Sequence, residues 1–241
     1  FKGPFEDFPE WYKSHVTFVD HQIGHAALAV FASPFKECAF ICQDGGGDSG
    51  DPRNFIFGEF KEGVFTIRKE CSGLSNLCAF HGFVTDALGF NGLDSGKTSG
   101  LAAYGKVQPK LAEQYLSLLT TNENGIDFHR ERYGVTELNV AKVNATSYDR
   151  SKVLCRYPSD TNILRMSLPY LPMDIAATGE YVMREVFMSF LKELRKETSM
   201  KHAVFSGGLF QNVTLNNCIL ESKIFDDIYI PVLISMAIEC M

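Results

Sequence analysis

Several features that mark other protein classes are missing from this sequence. No segment approaches the roughly 18 consecutive apolar residues that a membrane-spanning helix needs. No run of like charges exceeds a few residues, so the chain has no polybasic membrane arm. The net charge of −6 argues against a broad basic surface for nucleic acid, although it is compatible with one local basic site. We therefore expect neither a membrane nor a nucleic acid as partner.

The cysteines also lack a recognisable pattern. There are seven, an odd number, and no Cys-x-x-Cys pair occurs. Several lie in apolar runs such as CAFIC (38–42), where a free thiol behaves as a small hydrophobic group. We interpret them as reduced, which predicts a cytoplasmic protein. The N-terminus has neither an initiator methionine nor a signal-peptide layout, and we expect a fragment of a longer protein.

The composition that is present is typical of a globular protein. Apolar residues make up 45% and charged residues 22% of 241 positions, enough to bury a core. The apolar periodicity predicts helices over 22–33, 76–90, 109–121, 172–196 and 209–222. Between them lie predicted strands over 37–44, 54–60, 64–70, 202–206 and 227–232. This alternation predicts an α/β fold with helices covering a sheet.

The segment VDHQIGHAALAVFASPF (19–35) places His21 and His25 four residues apart at a predicted helix start. That spacing puts both side chains on one helix face, within reach of one metal ion. Two histidines can equally be helix-start residues bonded to nearby backbone, so a metal site needs a further ligand. Asp44 is the candidate, because it ends the next predicted strand. Two imidazoles and a carboxylate suit Fe(II) or another divalent first-row metal, and Zn(II) almost as well.

Two further glycine-containing segments are candidate binding sites. In QDGGGDSGD (43–51), the N–H groups of Gly45 and Gly47 are placed to face a phosphate, unless the segment is a plain acidic turn. In GKTSGLAAYG (96–105), glycines and small residues indicate close backbone packing. Lys97 would then lie at the mouth of a site or be an ordinary surface cation.

The segment FSGGLFQN (205–212) joins a predicted strand to a predicted helix through Gly207 and Gly208. A strand, two glycines and a helix N-terminus form a cradle for an anion or a nucleotide, with Asn212 on the first helical turn. The same pattern also fits a tight strand-to-helix turn without a ligand, and alone it is no more specific than an isolated glycine motif.

Together these segments resemble one family. VDHQIGHAALAVFASPF, DGGGD, GKTSGLAAYG and SGGLFQN occur in the order seen in NodU/CmcH/TobZ-type O-carbamoyltransferases. The family pattern is similar to D-H-H-x-x-H-A, then D-G-x-G-E, then G-K-x-M-G-L-A-A-Y-G, then G-G-x-x-x-N. The resemblance covers about residues 15–230, and GLAAYG is its most specific part.

The resemblance implies an α/β, actin-like ATPase (ASKHA, Kae1-like) fold that is incomplete at the N- and C-termini. Residues 1–121 would form part of the first subdomain with the metal-site motif. Residues 122–170 would be an irregular connection, and 171–241 a truncated second subdomain with the glycine nucleotide loop. The family's YrdC-like domain is missing from the chain. A further aspartate, normally a metal ligand after the last strand, has no counterpart beyond Asp227.

The resemblance also implies an activity. Family members make carbamoyl-adenylate from carbamoyl phosphate and ATP in the YrdC-like domain. The Kae1-like domain transfers the carbamoyl group to a hydroxyl of an antibiotic, a nodulation factor or another sugar-like molecule, and an iron ion helps to hold and polarise the carbamoyl-adenylate. Carried over here, the catalytic metal ligands would be His21, His25 and Asp44. The residues along the nucleotide would be Gly207, Gly208 and Asn212.

Two other functions remain open at this point. A Kae1/TsaD-like enzyme, which attaches threonylcarbamoyl to tRNA, shares the fold and the histidine pair. The segment GKTSGLAAYG and the net negative charge of the chain count against this alternative. A non-catalytic ASKHA remnant that binds nucleotide or a partner is favoured by the missing aspartate. The chain also departs from the family pattern at Gln22, where the second histidine is expected, and at Thr98 and Ser99.

Overall fold

The computed structural model describes residues 19–46, 53–72, 76–92, 94–122, 125–128 and 162–231. The strands are β1 (Cys38–Gln43), β2 (Arg53–Lys61), β3 (Val64–Ser72), β4 (Leu119–Asn122), β5 (Gly125–Phe128), β6 (His202–Ser206) and β7 (Asp227–Tyr229). The helices are α1 (His21–Ala32), α2 (Leu77–Ala87), α3 (Ser95–Ala102), α4 (Pro109–Leu116), α5 (Asn162–Ser167), α6 (Pro172–Lys196) and α7 (Val213–Ser222). A short 3-10 helix spans Gly208–Gln211.

Five of the strands form one mixed sheet with the order β3-β2-β1-β6-β7. β1 pairs antiparallel with β2 and parallel with β6, and β6 pairs parallel with β7. Cys42 lies opposite Ser206 in the parallel pair. Because both strands run in the same direction, the residues that follow them leave the sheet side by side, at its carboxyl edge. In open α/β sheets this is the edge where ligands bind.

The predicted α/β class is confirmed, and most predicted elements lie within a few residues of the observed ones. The predicted helix over 109–121 was wrong at its end, because α4 stops at Leu116 and β4 begins at Leu119. The β-branched pair Thr120 and Thr121 favours extended backbone, and pairing with β5 stabilises it. None of the described helices combines the length and the apolarity that a bilayer crossing requires.

The sheet buries apolar side chains on both faces. On one face, Phe57 and Phe205 belong to the large core formed with α2, α4, α6 and α7. On the other, the small side chains of Ala26 and Ala29 let α1 pack closely over β1 and β2. The ring of Phe35, just after α1, stacks on His202 at the start of β6. The C-terminal end of α1 therefore lies at the amino edge of the sheet, and its N-terminus lies at the carboxyl edge.

The segment GKTSGLAAYG contains glycines with different structural requirements. A Cβ at Gly105 would lie 1.9 Å from the carbonyl oxygen of Met173 in α6, whereas a Cβ at Gly100 would meet no atom of the described residues within 4 Å. We expect Gly105→Ala to lower the free energy of unfolding by about 2–3 kcal/mol through overpacking. Gly100→Ala should raise it by about 0.5–1 kcal/mol, since alanine is the better helix former. Urea denaturation of both variants tests this, and equal effects would contradict the packing role.

Candidate metal centre

The start of α1 fixes the direction of both histidine side chains. Asp20 is the N-cap of the helix, and its Oδ1 accepts the N–H of Ile23 at 2.9 Å. His21 is therefore the first helical residue, and His25 follows about one turn later. Their ring centroids lie 4.7 Å apart, with the rings nearly perpendicular. Both rings project from the same side of the helix N-terminus.

Asp44 follows β1 directly and completes a cluster with these histidines. Its Oδ2 lies 3.1 Å from Nε2 of His21 and 3.1 Å from Nε2 of His25. The two Nε2 atoms are also 3.1 Å apart. The sequence-predicted trio is thus brought together at the carboxyl edge of β1, with its three potential donor atoms converging on one point.

The other oxygen of Asp44 is held by backbone groups from two glycine segments. The N–H of Gly45 donates to Oδ1 at 2.7 Å, and the N–H of Gly208 donates to the same oxygen at 3.2 Å. Burial alone would raise the pKa of Asp44, but hydrogen bonds from His21, His25 and Gly45 outweigh it and hold the pKa below its ordinary value. Asp44 therefore presents an ionised, oriented oxygen to the histidines.

The three side chains fit a divalent metal ion of the first transition row. Three atoms separated by 3.1 Å can each lie about 2.1 Å from a common point, the usual metal–nitrogen and metal–oxygen distance in such sites. Two imidazoles and one carboxylate with open positions are the donor set of non-haem Fe(II) sites, and Zn(II) accepts the same donors. The trio can therefore hold such an ion through Nε2, Nε2 and Oδ2.

The cysteines of the described part of the chain are free thiols: Cys38, Cys42, Cys71, Cys78 and Cys218. Cys42 and Cys78 are the two whose pKa is influenced by Asp44. Burial raises the pKa of Cys42 to about 12, against a hydrogen bond with Ser206, and the charge of Asp44 adds to the rise. Burial and the same charge raise the pKa of Cys78. Neither Sγ is among the donor atoms of the described residues that converge at Asp44, so nitrogen and oxygen are the donors of this cluster.

Gly207 lets β6 leave the sheet beside the end of β1. Its φ of +95° and ψ of 167° lie in a region that only glycine occupies readily. A Cβ here would also lie 2.3 Å from the carbonyl oxygen of Gln43. The close approach brings Gly208 against Asp44, so this tight turn positions the Asp44 carboxylate.

The remaining sequence-predicted residues lie apart from the histidine pair or outside the described residues. Gly47 lies outside them. Lys97 is exposed, and its Nζ donates to Oδ2 of Asp94 at 2.7 Å. Asn212 is the N-cap of α7 and precedes its first turn, with Oδ1 accepting the N–H of Leu215 at 2.9 Å. A nucleotide contact by Lys97 or Asn212 stays a prediction.

Comparison with known proteins then decides the family. A sequence model of the family described as carbamoyltransferase N-terminus matches residues 6–235, nearly the whole chain. The chain belongs to this family. The match includes the segments that carry both histidines, Asp44 and Gly208.

Individual relatives agree with this assignment. The nodulation protein NolNO of Sinorhizobium fredii (strain NBRC 101917 / NGR234) is 27% identical over 224 residues, covering 90% of this chain and 29% of that protein. The nodulation protein NolO of Bradyrhizobium diazoefficiens is 26% identical over 219 residues, covering 88% and 35%. The chain therefore spans about a third of the length of these relatives.

Among solved structures, the chain is similar to full-length HypF in its phosphate- and nucleotide-bound form. The TM-score is 0.46 at 14% identity, and the alignment covers 95% of this chain and 42% of that one.

The structure contains a second polar cluster, which the sequence patterns did not predict. Glu180 in α6 is 4% exposed, and its Oε1 lies 2.9 Å from Nε2 of His81 and accepts the hydroxyl of Ser99. Asn212 Nδ2 and the Thr214 hydroxyl donate to Oε2 at 2.8 and 3.3 Å. This carboxylate links α2, α3, α6 and the start of α7. The available signal was a charged residue within the apolar stripe of the predicted helix.

The Glu180 cluster predicts a specific pH dependence of stability. Burial would raise the pKa of Glu180, but hydrogen bonds and the charge of His81, with further bonds from Ser99 and Asn212, lower it from 4.5 to about 2. The pKa of Glu180 is lower in the folded chain than in the unfolded chain, so the ionised carboxylate stabilises the fold, by on the order of 3 kcal/mol. This stabilisation is complete above pH 4.5 and is lost as the pH falls toward 2.

Glu180→Gln should therefore be less stable than the unmodified chain at pH 7 and lose less stability between pH 5 and pH 3. Urea denaturation at several pH values measures both effects. Glu193→Gln is the control, because Glu193 is an exposed partner of Lys196. If the free energy of unfolding of Glu180→Gln fell with pH in parallel with that of the unmodified chain, Glu180 would not be ionised in the folded protein.

Proposed function

We propose that this chain is the part of a carbamoyltransferase that receives carbamoyl-adenylate and passes its carbamoyl group to a hydroxyl. The acceptor would be a sugar-like, antibiotic-like or nodulation-factor-like small molecule. The single observation that carries the proposal is the convergence of His21, His25 and Asp44 at the shared carboxyl edge of β1 and β6, in a chain of the carbamoyltransferase family. A cytoplasmic setting fits the free thiols.

The proposal includes the actin-like ATPase (ASKHA) fold. Its support is a mixed sheet in which an antiparallel hairpin, β2 and β3, flanks β1 on one side. Two parallel strands joined through a helix, β6 and β7, flank it on the other. In such a fold the nucleotide would lie against the glycine turn after β6, where Gly207 and Gly208 leave the sheet.

The metal that we propose for the trio is Fe(II), with Zn(II) as the alternative. When bound, such an ion supplies a Lewis acid that polarises carbonyl and phosphate oxygens. His21 and His25 would hold it through Nε2, and Asp44 through Oδ2. The N–H groups of Gly45 and Gly208 keep the Asp44 carboxylate from rotating away. These residues therefore bind and orient, and the reactive groups belong to the substrates.

The proposed transfer is a substitution at the carbamoyl carbon. The acceptor oxygen forms a new bond to that carbon, the bond from carbon to the adenylate oxygen breaks, and AMP leaves while the hydroxyl proton passes to solvent. Carbamoyl-adenylate would come from carbamoyl phosphate and ATP on a YrdC-like domain. Such a domain is a proposed partner, since the relatives are about three times as long as this chain.

Product analysis by mass spectrometry tests the proposal. The purified chain is given carbamoyl-adenylate and a panel of sugar hydroxyl acceptors, with a YrdC-like domain supplied separately in a second series. We expect equal amounts of AMP and carbamoylated acceptor, and neither with Asp44→Ala. Product that is unaffected by this substitution would contradict the role of the trio, and AMP without carbamoylated acceptor would contradict transfer to a hydroxyl.

Two other outcomes of the same assay would redirect the assignment. Product with tRNA and threonylcarbamoyl-adenylate would indicate a Kae1/TsaD-like activity, against which the net charge of −6 argues. Nucleotide binding without any transfer would indicate a non-catalytic remnant.

A further inference from the structure

Arg53, the first residue of β2, contacts Asp20 and Gln22 at the start of the helix that carries both histidines. Its guanidinium forms an ion pair with Oδ2 of Asp20, the residue whose other oxygen caps α1. A second guanidinium nitrogen donates to Glu70 of β3 at 3.3 Å. Asp20 is thus fixed from two sides, by the helix that it caps and by the hairpin.

Backbone groups of Arg53 and Asn54, the first two residues of β2, complete the connection. The carbonyl of Arg53 accepts Nε2 of Gln22 at 3.2 Å, and the carbonyl of Asn54 accepts the N–H of Asp44 at 2.9 Å. Gln22 is only 1% exposed and stands where the family pattern has a second histidine. The start of β2 therefore holds the first turn of α1 on one side and the backbone of Asp44 on the other.

We call the contacts of Arg53 with Asp20 and Gln22 the clamp. The packing of α1 explains why the clamp is needed. Its sheet-facing side includes the small residues Ala26 and Ala29, which give close approach but do little to fix rotation about the helix axis. The ion pair has side-chain exposures of 24% for Arg53 and 23% for Asp20, so it is better shielded than an ordinary surface pair. A guanidinium also presents its donors in a planar fork, which lets one side chain bridge two carboxylates.

We propose that Arg53 is a positioning residue for the metal centre. Through Asp20 it sets the angle at which His21 and His25 face Asp44, without contacting the ion itself. The inference rests on the proposed function, because it takes the trio to be a metal site. Residues that orient metal ligands typically change metal affinity by about 10- to 100-fold when they are replaced.

The test compares four variants of the whole chain. Arg53→Met removes the clamp, and Asp20→Asn removes its charge while keeping an oxygen that can cap α1. Glu70→Gln removes the charge of the other Arg53 partner. Arg68→Met is the matched control, since it breaks an ion pair with Glu59 on the same hairpin. For each variant, Co(II) is titrated while its visible spectrum is recorded, and amide hydrogen exchange is measured over residues 21–25 without metal.

We expect Arg53→Met and Asp20→Asn to bind Co(II) about tenfold more weakly, with an altered spectrum and faster exchange in the first turn of α1. Arg68→Met and Glu70→Gln should match the unmodified chain in affinity and spectrum. Should Arg53→Met fail to fold, Asp20→Asn decides, because it retains the cap. Unchanged affinity and spectrum in these two variants would overturn the inference and leave the metal centre intact. An equal loss of Co(II) affinity in Arg68→Met would also overturn the inference, because the effect would then reflect general destabilisation of the hairpin.

Failure of the proposed function gives a different result. If the unmodified chain bound no Co(II), the metal centre itself would be contradicted. Amide hydrogen exchange would then be the remaining test of whether Arg53 orients α1. Faster exchange confined to Arg53→Met and Asp20→Asn would then still support Arg53 as the residue that orients α1. Unchanged exchange would overturn that role too.

Discussion

Replacing Asp44 with alanine is expected to weaken metal binding by more than about 100-fold. Changes to residues that only orient metal ligands already cost about 10- to 100-fold, and this substitution removes a ligand. Asp44 supplies the only oxygen of the trio, and it is ionised because hydrogen bonds hold its pKa low. Without it, only the two imidazoles of the trio would remain, a poorer donor set for Fe(II). Competition titration against a chelator of known affinity measures the loss.

The control for this change is Asp226→Ala, an exposed aspartate whose backbone N–H bonds to the carbonyl of Lys201. It should leave the metal affinity unchanged. The metal affinity of Asp44→Asn should lie between those of Asp44→Ala and Asp226→Ala. The amide keeps an oxygen but lacks the charge, and its NH₂ group would face N–H donors or the histidines. If Asp44→Ala bound metal as tightly as Asp226→Ala does, Asp44 would not be a ligand.

Gly207→Ala should have the largest effect on stability of any single methyl addition near the site. The backbone at Gly207 lies in a region that costs other residues about 1–3 kcal/mol, and the new Cβ would lie 2.3 Å from the Gln43 carbonyl oxygen. We expect a loss of about 3 kcal/mol or more in the free energy of unfolding. Because relief of the clash moves Gly208 away from Asp44, metal affinity should also fall.

Gly46→Ala is the matched control for this prediction, since a Cβ at Gly46 would meet no atom within 4 Å in the part of the chain that the structure describes. Denaturant titrations and metal titrations of both variants separate the two effects. A Gly207→Ala protein with unchanged stability would show that β6 can leave the sheet by another backbone path. The glycine would then be required for a ligand rather than for the turn.

The grouping of His21, His25 and Asp44 could be predicted from the sequence, because it depends on spacings within one helix and the strand after it. His21 and His25 are four residues apart on a helix, and Asp44 ends the strand that follows. The parallel pairing of β1 with β6 could not be predicted from spacing, since it joins segments about 160 residues apart. That pairing is what carries the N–H of Gly208 to Asp44.

Motif residues were harder to assign to roles, because the same glycine pattern serves packing and binding. In GKTSGLAAYG, Gly105 touches the backbone of α6, and Ser99 bonds to the buried Glu180. Lys97, the motif's charged residue, is exposed beside Asp94. The structure thus supports a packing role for much of this segment. Glu180 itself was missed because its partners come from three other helices, which no local pattern relates.

The most direct test of the metal centre is X-ray absorption at the iron edge of protein loaded anaerobically with Fe(II). The account predicts a first shell of nitrogen and oxygen only, with outer-shell scattering from two imidazoles, reduced to one in His25→Ala. Cys42 and Cys78 should contribute no sulfur, because neither thiol belongs to the group of converging donor atoms. A sulfur shell, or an iron spectrum without imidazole scattering, would contradict the assignment of His21, His25 and Asp44.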